Sequence, residues 1–92
     1  MRTLPKENTM IKIGIVDDHA IVRSGLRQFL SEHVDLRVEG EASNGREAID
    51  LVRNHEIDVL LMDLSMPGQS GLDALAMLRA KAPDMGILIL SG

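Results

Sequence analysis

The sequence has no cysteine, no tryptophan and no tyrosine, and a single phenylalanine. Without cysteine it can form neither a disulfide nor a thiolate metal site, and composition leaves the redox compartment unmarked. Without aromatics the core must be built from Leu, Ile, Val, Ala and Met. No apolar run approaches the ~20 residues needed to span a bilayer. No signal-peptide pattern precedes the first apolar segment, so a cytoplasmic location and no membrane partner are expected. Basic residues are in deficit, 10 against 14 acidic ones for a net charge of -4. That argues against direct nucleic-acid binding as the main activity. A chain of 92 residues makes one small domain and not two. At that size only about 60% of the unfolded surface is buried.

What is present is a regular alternation. Residues 1–10 are polar, include Pro5 and show no period; they read as a flexible leader, with Met10 a possible natural start. One domain then covers residues 11–92. Residues 11–16 and 59–63 are nearly unbroken apolar runs, the mark of strands buried on both faces of a parallel sheet. Residues 87–90 form a fourth, fully apolar strand, while residues 36–42 alternate and read as a weaker strand at an edge. Helices fall between them. The first, over residues 20–32, places Val22, Leu26, Phe29 and Leu30 on one stripe, with Asp18 as a candidate N-cap. Gly25 inside it is explained by close packing on the sheet. Asn44 and Glu47 resemble a capping box that opens the second helix, which turns Ala48, Ile49, Leu51 and Val52 inward. The third, over residues 72–82, buries Leu72, Leu75, Leu78 and Ala82 and is stopped by Pro83. Among the methionines, Met62 is assigned to the core and the others to filler. Strands and helices alternating in this way imply an α/β fold, a parallel sheet with right-handed crossovers.

The chemistry lies at the strand ends. Residues 59–63 end in Asp63 and residues 11–16 run into Asp17 and Asp18. In open α/β sheets ligands bind at the carboxyl ends of the strands. If the two strands are neighbours, three carboxylates converge, which is costly unless a cation neutralises them or some are protonated. Mg²⁺ is a hard cation suited to such oxygens. Asp63 is the better candidate nucleophile toward phosphorus, because the other two can serve the cation. Each residue also has a plainer reading: Asp18 as a helix cap, Asp63 as a turn former, Ser91 as an ordinary turn serine rather than a donor to a phosphoryl oxygen. His19 could ligate a metal, but reads rather as an exposed first-turn residue because Mg²⁺ prefers oxygen. His33 and His55 read as surface residues.

Three blocks, Val16-Asp17-Asp18-His19, Leu61-Met62-Asp63-Leu64-Ser65-Met66-Pro67-Gly68 and Leu88-Ile89-Leu90-Ser91-Gly92, resemble the receiver domain of bacterial two-component response regulators. The wording of the motifs is most similar to the LuxR/NarL/FixJ subfamily, whose members carry a C-terminal helix-turn-helix. The resemblance implies a flavodoxin-like (CheY-like) three-layer fold with strand order 2-1-3-4. It implies that Asp63 is the phosphoacceptor, and that Asp17 and Asp18 bind Mg²⁺ with the Asp63 side chain and the Ser65 backbone carbonyl. Ser91 would contact the phosphoryl group, as would the backbone N–H groups of Ser65 and Gly92. A sensor histidine kinase would be the donor, and the domain would catalyse its own phosphorylation without being a turnover enzyme. In the full protein it would regulate transcription through the helix-turn-helix domain.

The resemblance stops after the fourth strand. The family continues with a fifth strand, two further helices and a Lys that pairs with the phosphorylated carboxylate. The expectation is therefore a truncated receiver, impaired in phosphorylation and self-associating through residues 87–90 or through the uncovered sheet face. A non-catalytic, self-associating interaction fragment is the alternative. A haloacid-dehalogenase-like Mg²⁺-dependent phosphohydrolase fits less well. That chemistry needs a second Asp two residues after the nucleophile, and here His19 follows Asp17 at that distance and Ser65 follows Asp63.

Overall fold

The computed structural model describes residues 10–65 and 71–91, without the side chain of Ser91. The leader up to residue 9 and Gly92 lie outside the described residues. Within them the chain runs β1 (Ile11–Val16), α1 (Ala20–Ser31), β2 (Leu36–Ala42), α2 (Gly45–Asn54), β3 (Val59–Asp63), α3 (Gly71–Lys81) and β4 (Gly86–Ser91). All strand pairs are parallel, and the order is β2-β1-β3-β4. The fold is an α/β parallel sheet with helices on both faces, as expected.

The two central strands bury residues toward both faces. Ile13, Ile15 and Leu61 pack with Leu30 beneath α1. Val16, Leu60 and Met62 turn the other way and pack with Ala48 and Leu51 of α2 and with Ala74 and Leu78 of α3. This two-sided burial is why β1 and β3 read as continuous apolar runs. A close approach positions α2. Gly14 and Gly40 are paired in register across β1 and β2, and Leu51 fills the hollow above them. A Cβ on Gly40 would stand 2.5 Å from Leu51 Cδ1, and one on Gly14 would stand 3.1 Å from Leu51 Cδ2.

Several sequence expectations change. Gly25 is exposed, and an added Cβ there meets nothing within 4 Å, so sheet packing does not explain it. The N-cap of α1 is His19 rather than Asp18. α1 packs on β1 and β2. Its stripe is therefore only partly covered: Leu30 is buried, Leu26 half-buried, and Val22 and Phe29 are exposed. In α3, Gly71, Ala74 and Leu78 make the buried face, while Leu72 is exposed. Met85 joins Met62 in the core.

Candidate functional site

Register builds the site. Val16 pairs with Met62, so Asp17 and Asp63 follow side by side at the carboxyl ends of β1 and β3. Both are only 4% exposed. Asp18 lies next to them, and one oxygen from each of the three carboxylates and a ring nitrogen of His19 lie within 4.8 Å of one another. Asp63 pairs in turn with Ser91 of β4, after a register shift. The described residues thus bring together Asp17, Asp18 and Asp63, with Ser65 one step into the loop. The Ser91 side chain and Gly92 lie outside them.

Hydrogen bonds hold each group. Asp17 Oδ1 accepts from the backbone N–H of His19 at 2.7 Å and faces His19 Nδ1 at 2.9 Å. This turn, closed by a carboxylate on a backbone N–H two residues on, explains why Asp18 is not the cap. Asp63 Oδ1 accepts from the Ser65 N–H and the Ser65 hydroxyl, both at 2.9 Å. The Ser65 N–H that family resemblance assigns to a phosphoryl oxygen therefore donates to Asp63 itself in this state. Asp18 Oδ1 is buried and accepts no hydrogen bond among the described residues, although His19 Nδ1 stands 3.1 Å from it. The separation suits an ion pair, but the contact does not satisfy the oxygen's lone pairs.

The three carboxylates raise the affinity of His19 for a proton. Its pKa lies above the ordinary histidine value, chiefly through the hydrogen bond to Asp17 and then through the charge of Asp18. Three clustered carboxylates with a buried, unsatisfied oxygen fit a small divalent cation with oxygen preference. Next to the cluster opens a groove of about 390 Å³ lined by Asp17, His19, Val22, Leu26, Asp63, Ser65 and Leu90. It gives an incoming group access to Asp63.

One member of the site was not found in the sequence. Arg23, one turn into α1, donates from Nη1 to the backbone carbonyl of Asp17 at 2.6 Å and from Nε to Glu41 at 3.0 Å. Arg27 pairs with the other oxygen of Glu41. The pair ties the end of β1 to α1 and β2 and places a fixed positive charge behind the acidic cluster. A cation one turn after an acidic strand end was the available signal.

The comparisons with known proteins agree with this geometry. Residues 13–92 match the "Response regulator receiver domain" family. The response regulator UvrY of Escherichia coli K12 is 42% identical over 82 residues, which is 89% of this chain and 38% of that protein. The nitrate/nitrite response regulator NarL of the same organism is 42% identical over 79 residues, 86% of this chain and 37% of that protein. The chain therefore spans well under half the length of these curated relatives. The crystal structure of a LuxR-family two-component response regulator from Aurantimonas superposes with a TM-score of 0.82 at 35% identity, covering 89% of this chain and 59% of that one.

Proposed function

Because the chain belongs to the response regulator receiver domain family, in its LuxR/NarL group, we propose that Asp63 accepts a phosphoryl group from a phosphohistidine on a sensor histidine kinase. One observation carries the reading: three carboxylates meet at the ends of two adjacent buried strands. A Asp63 oxygen attacks phosphorus as the phosphorus–nitrogen bond breaks. The electron pair of that bond goes to the imidazole of the donor, and the product is an aspartyl phosphate. Mg²⁺, when bound, offsets the repulsion between the carboxylates and the incoming phosphoryl oxygens. Asp17, Asp18, the Asp63 side chain and the Ser65 carbonyl would hold it. Ser65 orients Asp63 through its N–H and hydroxyl. Arg23 fixes the Asp17 backbone. The Ser91 hydroxyl and the Gly92 N–H are the remaining phosphoryl contacts in this proposal.

The domain is a phosphoacceptor rather than a turnover enzyme. In the whole protein, by analogy with its relatives, the phosphorylated domain would control a helix-turn-helix transcription factor module in the cytoplasm. Among the described residues no helix is long and apolar enough to cross a membrane.

Acetyl phosphate tests the chemistry directly. Intact-protein mass spectrometry should show one phosphoryl adduct on the 92-residue chain when Mg²⁺ is present. The adduct should vanish in Asp63→Asn and on removing the cation with a chelator. A chain that stays unlabelled with Mg²⁺ present leaves the non-catalytic reading standing instead.

That second reading has its own support. The exposed apolar strand β4 is uncharged throughout and, among the described residues, pairs with β3 alone. We propose that it mediates self-association of this chain.

A further inference from the structure

His19 contributes more to the acidic cluster than proximity in sequence requires. Its Nδ1 stands 2.9 Å from Asp17 Oδ1 and 3.1 Å from Asp18 Oδ1. Adjacent ligands of an octahedral ion bound at ~2.1 Å stand about 3.0 Å apart, from the geometry of the octahedron. Nδ1 holds these spacings through a hydrogen bond to Asp17 and an ion-pair separation from Asp18; once its proton leaves, they are the spacings of a neighbouring ligand with respect to both carboxylates at once. The same four groups fall within 4.8 Å, a little wider than the ~4.2 Å between opposite ligands of such an ion, so the cluster must draw in slightly to hold it. Asp18 Oδ1 is the oxygen still lacking a hydrogen bond, so this corner of the cluster has an acceptor to offer a cation. The backbone already commits His19 to the place. It is the N-cap of α1, and its N–H is bonded to Asp17. The ring is 63% exposed, so it lies at the lip of the site.

We propose that His19 is a nitrogen ligand of the cation site, through Nδ1, and that it shifts the preference of the site from Mg²⁺ toward transition-metal ions such as Mn²⁺ and Co²⁺. The inference rests on the reading of Asp17, Asp18 and Asp63 as a divalent-cation site. An all-oxygen site suits Mg²⁺, whereas a neutral imidazole adds affinity for first-row transition ions and little for Mg²⁺. The structure thereby assigns a role to a residue that oxygen preference alone would leave on the surface.

Mn²⁺ supplies a readout independent of phosphorylation. With Mn²⁺ bound to the 92-residue chain, electron spin echo envelope modulation should show a directly coupled ¹⁴N. The coupling should disappear in His19→Ala and His19→Gln and persist in His33→Ala and His55→Ala. By calorimetric titration, His19→Ala should weaken Co²⁺ binding by about tenfold and change Mg²⁺ binding by less than about twofold. Bound Mn²⁺ with no ¹⁴N coupling in the unaltered chain overturns the assignment of His19 while leaving the carboxylate site intact. Coupling that survives His19→Gln overturns it too. Failure of the unaltered chain to bind Mn²⁺ or Mg²⁺ removes the carboxylate site itself, and His19 falls with it.

Discussion

Gly25 lies in the middle of α1, where a methyl group would meet no atom within 4 Å. Glycine in a helix interior costs about 1 kcal/mol relative to alanine, because it loses more backbone freedom on folding. Nothing in the fold offsets that cost. Gly25→Ala should therefore stabilise the chain by up to about 1 kcal/mol, or raise its melting temperature by about 4–8 °C. Thermal unfolding followed by circular dichroism checks it, and an unchanged or lower midpoint would show that Gly25 has a structural use the fold does not reveal. The residue also marks where sequence reasoning stops. A helix glycine is equally compatible with close packing and with an open surface, and only the placement of α1 over β1 and β2 decides between them. Asp17, Asp18 and Asp63 behave differently. A carboxylate that ends a two-sided apolar strand must sit at the rim, so their placement there was legible from pattern, while their convergence hung on the two strands being neighbours. Which of them would take the turn was not legible. Asp18 and Asp17 were equally able to bond a backbone N–H, and the bond to His19 went to Asp17.

At the scale of elements, β2 and α1 are joined by Glu41 with Arg23 and Arg27. The carboxyl of Glu41 is held below its ordinary pKa, first by the hydrogen bond from Arg27 and also by that from Arg23. A depressed folded-state pKa means that the pair stabilises the fold above the unfolded glutamate pKa of about 4.3. The contribution disappears as pH falls through the lower folded value. Urea unfolding between pH 6 and pH 3 should show the unaltered chain losing more stability than Glu41→Gln below about pH 4.5, the two curves converging at the acid end. Parallel curves would mean that the pair adds nothing. The capping box on α2 shows how near a sequence motif can come to the structure. Asn44 accepts the Glu47 N–H at 2.8 Å as expected, but Glu47 reaches back to the N–H and hydroxyl of Ser43 instead of the cap residue. In α3 the pattern was weaker. Leu72, Ala74, Leu75, Ala76, Met77 and Leu78 are apolar nearly all round, so periodicity could not select the face that Ala74 and Leu78 bury. The central strands β1 and β3 were the clearest elements because both of their faces are buried, whereas β2 is mostly half-buried and β4 mostly exposed.

At the scale of the molecule, strand order came from the family resemblance rather than from hydropathy: the pattern left open whether β1 and β3 are neighbours, and they are. The opposite flank of the sheet has a different character. β4 exposes Leu88, Ile89 and Leu90 at 59%, 44% and 39%. On the α3 side, Ile87 and Ile89 join Leu72, Leu75, Ala76 and Arg79 around a groove of about 410 Å³. On the α1 side, Leu90 joins Val22 and Leu26. Among the described residues β4 lies at the edge of the sheet, and a strand there with no charge and no proline, apolar toward both faces, is a template for another strand. A second copy of this chain offers the matching surface in equal concentration. Self-association through β4 is therefore expected to appear in sedimentation velocity as the protein is concentrated into the high micromolar range. Burying one leucine side chain contributes about 1.5–3 kcal/mol. Leu88→Lys, at an exposed position that the fold does not need, should thus weaken association by about tenfold or more while leaving the thermal midpoint within a few degrees. Circular dichroism on the same samples separates the two effects. A chain that sediments as a monomer at every concentration would show that the exposed strand is tolerated in isolation, and the edge would lose its role as an interface between copies.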